Sequence, residues 1–102
     1  MEDKKDSLKI SLIQSLLHWE NPAVNRQMFS NKFEQITEQV DLIVLPEMFS
    51  TGFTMSPSNI RKEEGSITVR WMQEMASIKN CAIVGSIVFE EDSSYYNRLF
   101  FV

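Results

Sequence analysis

The stretch Leu42-Ile43-Val44-Leu45, stopped at once by Pro46, constrains this chain more than any other. A continuous run of β-favouring apolar residues is how a strand covered on both faces reads. Proline has no N–H for a sheet ladder, so the strand ends at Pro46 and Glu47 falls just past its C-terminal end. In α/β sheets that end is where ligands bind. Leu45 and Pro46 on one side of Glu47, with Met48 and Phe49 on the other, imply that its carboxylate enters a poorly hydrated pocket. Desolvation favours the protonated form of a carboxyl group, and one poised near neutrality can take a proton from a nucleophile and return it to a leaving group. A solvated loop glutamate is the alternative for the same residue.

The flanking segments supply partners for that strand. Leu8-Lys9-Ile10-Ser11-Leu12-Ile13 alternates before turning apolar and reads as a first strand. His18, the only histidine, stands beside Trp19 in the following loop, where a lone histidine is more often a surface or packing residue than a catalyst. Asn21-Pro22 opens a helix, with asparagine as N-cap and proline at the first helical position. Its apolar stripe is Phe29, Phe33, Ile36 and Val40, while Arg26, Lys32, Glu34 and Glu38 lie off it. Strand, helix and strand make a βαβ unit with parallel strands.

About twenty residues without periodicity follow, from Pro46 to Gly65. Loops of this length are uncommon in compact domains unless they serve a function or are disordered. Met48, Phe49, Phe53 and Met55 are large and apolar, Ser50, Thr51 and Thr54 carry hydroxyls, and Gly52 permits a tight turn. The first half of the loop is therefore expected to be ordered and to line a pocket, with Phe49, Thr51 and Phe53 as the substrate-pocket candidates. Residues 56–65 read as an exposed turn region. Ser66 is the expected cap of a second helix carrying Trp71, Met72, Met75 and Ile78, and Asn80 its left-handed C-terminal cap. Residues 81–89 form a third strand, Glu90 to Ser94 a polar turn, and Tyr95 to Val102 a fourth strand antiparallel to the third. Cys81, at the entry of its strand, lies at the wrong end to meet Glu47 and reads as a structural thiol.

Charge and cysteine usage exclude several functions. Fourteen acidic residues against ten basic, with no basic cluster longer than Lys4-Lys5 or Arg61-Lys62, speak against a nucleic-acid partner. No apolar run approaches the roughly 20 residues of a membrane helix, which gives no expectation of a membrane partner. The charged start at residues 1–7 is not a secretory signal, and a lone cysteine fits a reducing compartment, so a cytoplasmic location is expected.

The order and wording of these segments resemble the start of a carbon–nitrogen hydrolase of the nitrilase superfamily. Asp41-Leu42-Ile43-Val44-Leu45-Pro46-Glu47 is similar to that family's catalytic-glutamate motif. Met48-Phe49-Ser50-Thr51-Gly52-Phe53 and His18-Trp19-Glu20-Asn21-Pro22 most resemble its omega-amidase branch, and the hairpin from Cys81 through Tyr96-Asn97-Arg98 also matches. The resemblance covers residues 8–102. It implies an α/β fold, the N-terminal part of a nitrilase-like α-β-β-α sandwich with element order β-α-β-α-β-β and a mixed sheet. It also implies hydrolysis of a small-molecule amide, such as 2-oxoglutaramate, by a Glu-Lys-Cys triad with no metal and no organic cofactor.

Of that triad only Glu47 carries over, as the base that takes the cysteine's proton. A thiol with pKa near 8.5 is mostly protonated at neutral pH and benefits from a positioned base. Lys79 and Cys81 precede the hairpin and cannot stand in for the other two. The expectation is therefore a chain truncated at its C-terminus and inactive by itself, from a parent protein that forms a homo-oligomer. The alternative is a small, complete, non-catalytic α/β module that binds a ligand or partner.

Overall fold

Leu42, Ile43 and Val44 form the second of four strands in a computed structural model that describes residues 7–102. Except for Ser7, the charged tail expected at residues 1–7 lies outside the described residues. The elements run β1 (Ile10–Leu12), α1 (Pro22–Glu34), β2 (Leu42–Val44), a 3₁₀ turn (Pro57–Asn59), α2 (Glu63–Lys79), β3 (Ala82–Glu91) and β4 (Ser94–Phe101). The sheet order is β1-β2-β3-β4. The first three strands are parallel and β4 returns antiparallel, giving the expected β-α-β-α-β-β order and mixed sheet.

Ile43 on β2 and Ile83 and Ile87 on β3 point to the helical side and are fully buried. Phe29 and Phe33 from α1 and Met72 from α2 meet them with no exposed surface. Phe33 stacks on Trp71 with ring centroids 5.6 Å apart, and the Trp71 indole N–H donates to Ser30 Oγ at 2.9 Å, which joins the two helices. Among the described residues the opposite face of the sheet is largely bare, although Ser86 and Val88 of β3 are buried there. Leu12, Leu99 and Phe101, brought to that face by a register pairing Leu12 with Val44, Val44 with Val84 and Val84 with Phe101, are 70%, 67% and 70% exposed. A sheet with helices on one side only cannot cover both faces of so apolar a strand set.

Several boundaries differ from the expected ones. In α1, Asn21 Oδ1 accepts from the Val24 N–H and Pro22 takes the first helical position, as expected. The helix stops at Glu34, however, because Gln35 and Ile36 bond back to the carbonyls of Lys32 and Phe33 and tighten the last turn. Ile36 and Val40 therefore pack on the core from the connecting segment. Ser66 does not cap α2, which begins three positions earlier at Glu63. Glu63 and Glu64 occupy its first turn, where negative charge complements the exposed N–H groups. Glu64 is further held by Arg26 at 2.8 Å and Arg61 at 3.0 Å.

Asn80 does close α2 in the left-handed region, at φ 53 and ψ 50. The expected five-residue polar turn shrinks to Asp92-Ser93, with φ values of 52 and 65. Two left-handed residues in succession match the twist of the flanking strands, so Glu90, Glu91 and Ser94 join the ladder. Among the described residues, no helix is long and apolar enough to cross a membrane.

Candidate active site

Glu47 stands where the strand signal placed it, beyond the C-terminal end of β2. The main chain there is stitched to β3: the Leu45 N–H donates to the Val84 carbonyl at 2.9 Å and the Phe49 N–H to the Ser86 carbonyl at 3.2 Å. Between them Met48 adopts φ 54, and its N–H donates to Ser86 Oγ at 2.9 Å. A bulky residue in the left-handed region is strained, and a hydroxyl presented by the neighbouring strand helps to hold it there. The turn then closes with the Thr51 and Gly52 N–H groups both donating to the Met48 carbonyl.

This kink decides where each side chain goes. Met48 and Phe49 turn inward, with Phe49 fully buried, edge-on to Phe29 at 5.7 Å and tilted against Trp71 at 5.9 Å. Glu47 is sent outward instead. The poorly hydrated pocket expected from its apolar neighbours is not what surrounds it, because those neighbours fold away into the core and leave the carboxylate exposed. It lies at an open cavity of about 340 Å³ with Val44, Val84, Ser86, Asn97 and Leu99, on the bare face of the sheet. The Asn97 side-chain amide donates to Glu47 Oε2 at 3.0 Å.

The three pocket candidates are elsewhere. Phe49 is core, packed beneath the loop against the space left by Gly85. Thr51 is fully buried, its hydroxyl donating to the Gly52 carbonyl. Phe53 is 64% exposed. None of them lines the cavity beside Glu47.

The loop beyond Glu47 is fastened from the other side by the segment that precedes α1. Asn25 is fully buried; it accepts from the His18 N–H at 2.8 Å and donates to the carbonyls of His18 at 2.8 Å and Ser50 at 2.7 Å. The Glu20 N–H donates to the Thr51 carbonyl, and the Glu20 carboxylate accepts from Thr54 Oγ1 and Asn59 Nδ2. Gly52, at φ 79, lies so close under Trp19 that an added Cβ would sit 3.1 Å from the indole. His18 is exposed and takes part through its backbone.

Sequence reasoning did not single out Asn97, Ser86 or Asn25. The available signal was a polar residue inside each of two apolar strands, where asparagine is disfavoured and serine packs poorly. Asn25 carried no such mark, since a polar residue on a helix is ordinarily read as exposed.

Cys81 precedes Ala82 at the start of β3, and the parallel register of β2 and β3 puts it at the opposite end of the sheet from Glu47. Partial burial pushes its thiol pKa up, Lys79 opposes this and Asp41 adds to it. Lys79 itself donates to the Ile36 carbonyl at 3.0 Å. Neither residue shares a site with Glu47. Among the described residues, no group of three or more His, Cys, Asp or Glu is placed to hold a metal ion.

The family model for carbon–nitrogen hydrolases matches residues 10–102. The chain belongs to the carbon–nitrogen hydrolase family. Within it, this carbon–nitrogen hydrolase chain is 37% identical over 95 residues to the omega-amidase YafV of Escherichia coli (strain K12), which covers 93% of this chain and 36% of that protein. It is 26% identical over 93 residues to the 2-oxoglutaramate amidase of Bacillus subtilis, covering 89% of this chain and 36% of that protein. The chain thus spans about a third of the length of these relatives. Among solved structures it superimposes on the CN-hydrolase superfamily protein XC1258 of Xanthomonas campestris with a TM-score of 0.82 at 34% identity, over 92% of this chain and 36% of that one. An amidase of Nesterenkonia AN1 from the nitrilase superfamily shares the fold at a TM-score of 0.72 and 21% identity, over 82% of this chain and 33% of that one.

Proposed function

We propose that this chain supplies the general base of a cysteine-dependent amidase of the omega-amidase type. The observation that carries the reading is Glu47 itself, a carboxylate held past the end of β2 at a cavity by a strained, hydrogen-bonded turn. The names of its relatives, an omega-amidase and a 2-oxoglutaramate amidase, support a small alpha-keto acid omega-amide as substrate.

In this reading Glu47 removes the proton of a thiol, and the thiolate adds to the amide carbon. The proton passes to the departing nitrogen as the C–N bond breaks, which releases ammonia and leaves a thioester. Glu47 then takes a proton from water, the resulting hydroxide displaces the thiolate, and the acid is released. The thiol and the triad lysine belong to polypeptide outside residues 1–102, because the single cysteine lies across the sheet. Polypeptide packed on the bare face of the sheet would exclude water from Glu47. Phe53 has apolar surface to offer a substrate, whereas Phe49 and Thr51 act by shaping the loop from below. A cytoplasmic location and a homo-oligomeric parent accompany this proposal.

The exposure of Glu47 and the lack of a thiol beside it favour a second reading, a ligand-binding module without chemistry. One experiment separates the two. The coding DNA is read beyond the codon for Val102, and the complete product is assayed for ammonia release from 2-oxoglutaramate. Turnover that disappears in Glu47→Gln supports the amidase, and a product lacking a second cysteine overturns it.

A further inference from the structure

We propose that Asn97 is a positioning residue for Glu47, fixing which carboxylate oxygen is presented to the reacting atoms. The inference rests on the reading of Glu47 as the general base and adds a residue to it. Asn97 is an exposed asparagine in the middle of β4, paired with Val88 and followed on the same face by Leu99. Asparagine is disfavoured in strands, and nothing in the packing of β4 asks for one there.

Its amide reaches across 50 positions of sequence to Glu47 Oε2 at 3.0 Å. Oε1 is left without a hydrogen-bond partner among the described residues. One oxygen is thus tethered and the other is available to accept a proton. Asn97 also forms a wall shared with a neighbouring cavity of about 190 Å³ that includes Met48, Thr54 and Tyr96. The tether therefore stands between the cavity at Glu47 and this second one.

The choice of an amide is chemically specific. A lysine or arginine at position 97 would offer N–H groups but would also pair with Glu47 as a full charge. An aspartate has the same shape and no donor when ionised. Among the described residues, no other titratable residue lines the Glu47 cavity, so the described parts of β2, β3 and β4 bring no competing charge to the carboxylate from its walls.

The test uses the complete gene product and compares Asn97→Ala, the isosteric Asn97→Asp and Glu47→Gln. In Asn97→Ala, kcat should fall on the order of tenfold with KM nearly unchanged, as expected for loss of one hydrogen bond to a charged group. Crystal structures of both variants should show the Glu47 carboxylate displaced. Wild-type kinetics together with an unmoved carboxylate would overturn the inference; if Asn97→Ala does not fold, Asn97→Asp decides it. A displaced carboxylate in Asn97→Asp alongside full activity in Glu47→Gln would mean that the tether stands and the catalytic reading of Glu47 falls.

Discussion

Asn25, on α1, donates its side-chain amide to the Ser50 carbonyl at 2.7 Å, and so anchors the loop beyond Glu47 from a helix 25 positions away. The same side chain satisfies both backbone groups of His18. Asn25→Ala would leave one N–H and two carbonyls short of partners in an interior with no exposed surface at that position. The expected loss is about 2–4 kcal/mol, read by urea denaturation. A loss below about 0.5 kcal/mol, the range of an ordinary surface substitution, would show that water replaces the amide without cost.

Glu47→Gln keeps the shape of the side chain and can still accept from Asn97 through its amide oxygen, yet it cannot take a proton. In the complete protein, turnover is expected to fall by at least about 10²–10³-fold, with the melting temperature within a degree or two of wild type. Steady-state kinetics and circular dichroism on the same preparation check both halves.

Glu64 gives the fold an acid-sensitive joint between α1 and α2. Burial raises its pKa, but the hydrogen bonds and charges of Arg26 and Arg61 more than offset this, and the group titrates below its ordinary 4.5. The folded state therefore holds this proton less tightly than the unfolded chain. Its stabilisation is fully present above 4.5 and is lost as pH falls from there through the lower folded value. Glu64→Gln should cost about 1–2 kcal/mol near neutrality and flatten the decline of stability as pH falls below 4.5. An unchanged slope would exclude Glu64 as its source.

Gly85 is required by a close approach and not by its backbone angle. A Cβ there would meet the Phe49 ring at 2.9 Å and Leu45 Cβ at 3.1 Å, on the two sides of Glu47. Gly85→Ala is expected to destabilise by about 1–3 kcal/mol through overpacking, and, if Glu47 is the base proposed above, to lower activity of the complete protein more than stability alone explains, because the displaced residues flank Glu47. Thermal melts paired with single-turnover rates measure the two effects separately.

The order of elements and the position of Glu47 past the second strand were legible because they follow from local signals: an apolar run, a proline, a helix stripe and an asparagine at a helix C-terminus. What escaped was set by partners far along the chain. Ser66 looked like a cap, yet α2 starts at Glu63 because Arg26, from another helix, meets Glu64. Glu47 looked buried because its sequence neighbours are apolar, but the left-handed Met48 separates their direction from its own. Phe49, Thr51 and Phe53 looked alike as pocket residues, and the same turn sends two into the interior and one into solvent. Asn97 and Asn25 matter through contacts across 50 and 25 positions, which no window of local pattern contains.

The two-residue turn at Asp92-Ser93 also bears on the order in which the site is assembled. A hairpin with so short a connection closes in about 1–10 μs, whereas parallel pairing must wait for helical crossovers to bring distant strands together. Ser86 and Asn97 lie on the two arms of that hairpin. They are expected to be in place before β2 docks beside them, so that Glu47 arrives at a receptor already formed and the slow step of folding is also the step that seats the proposed base.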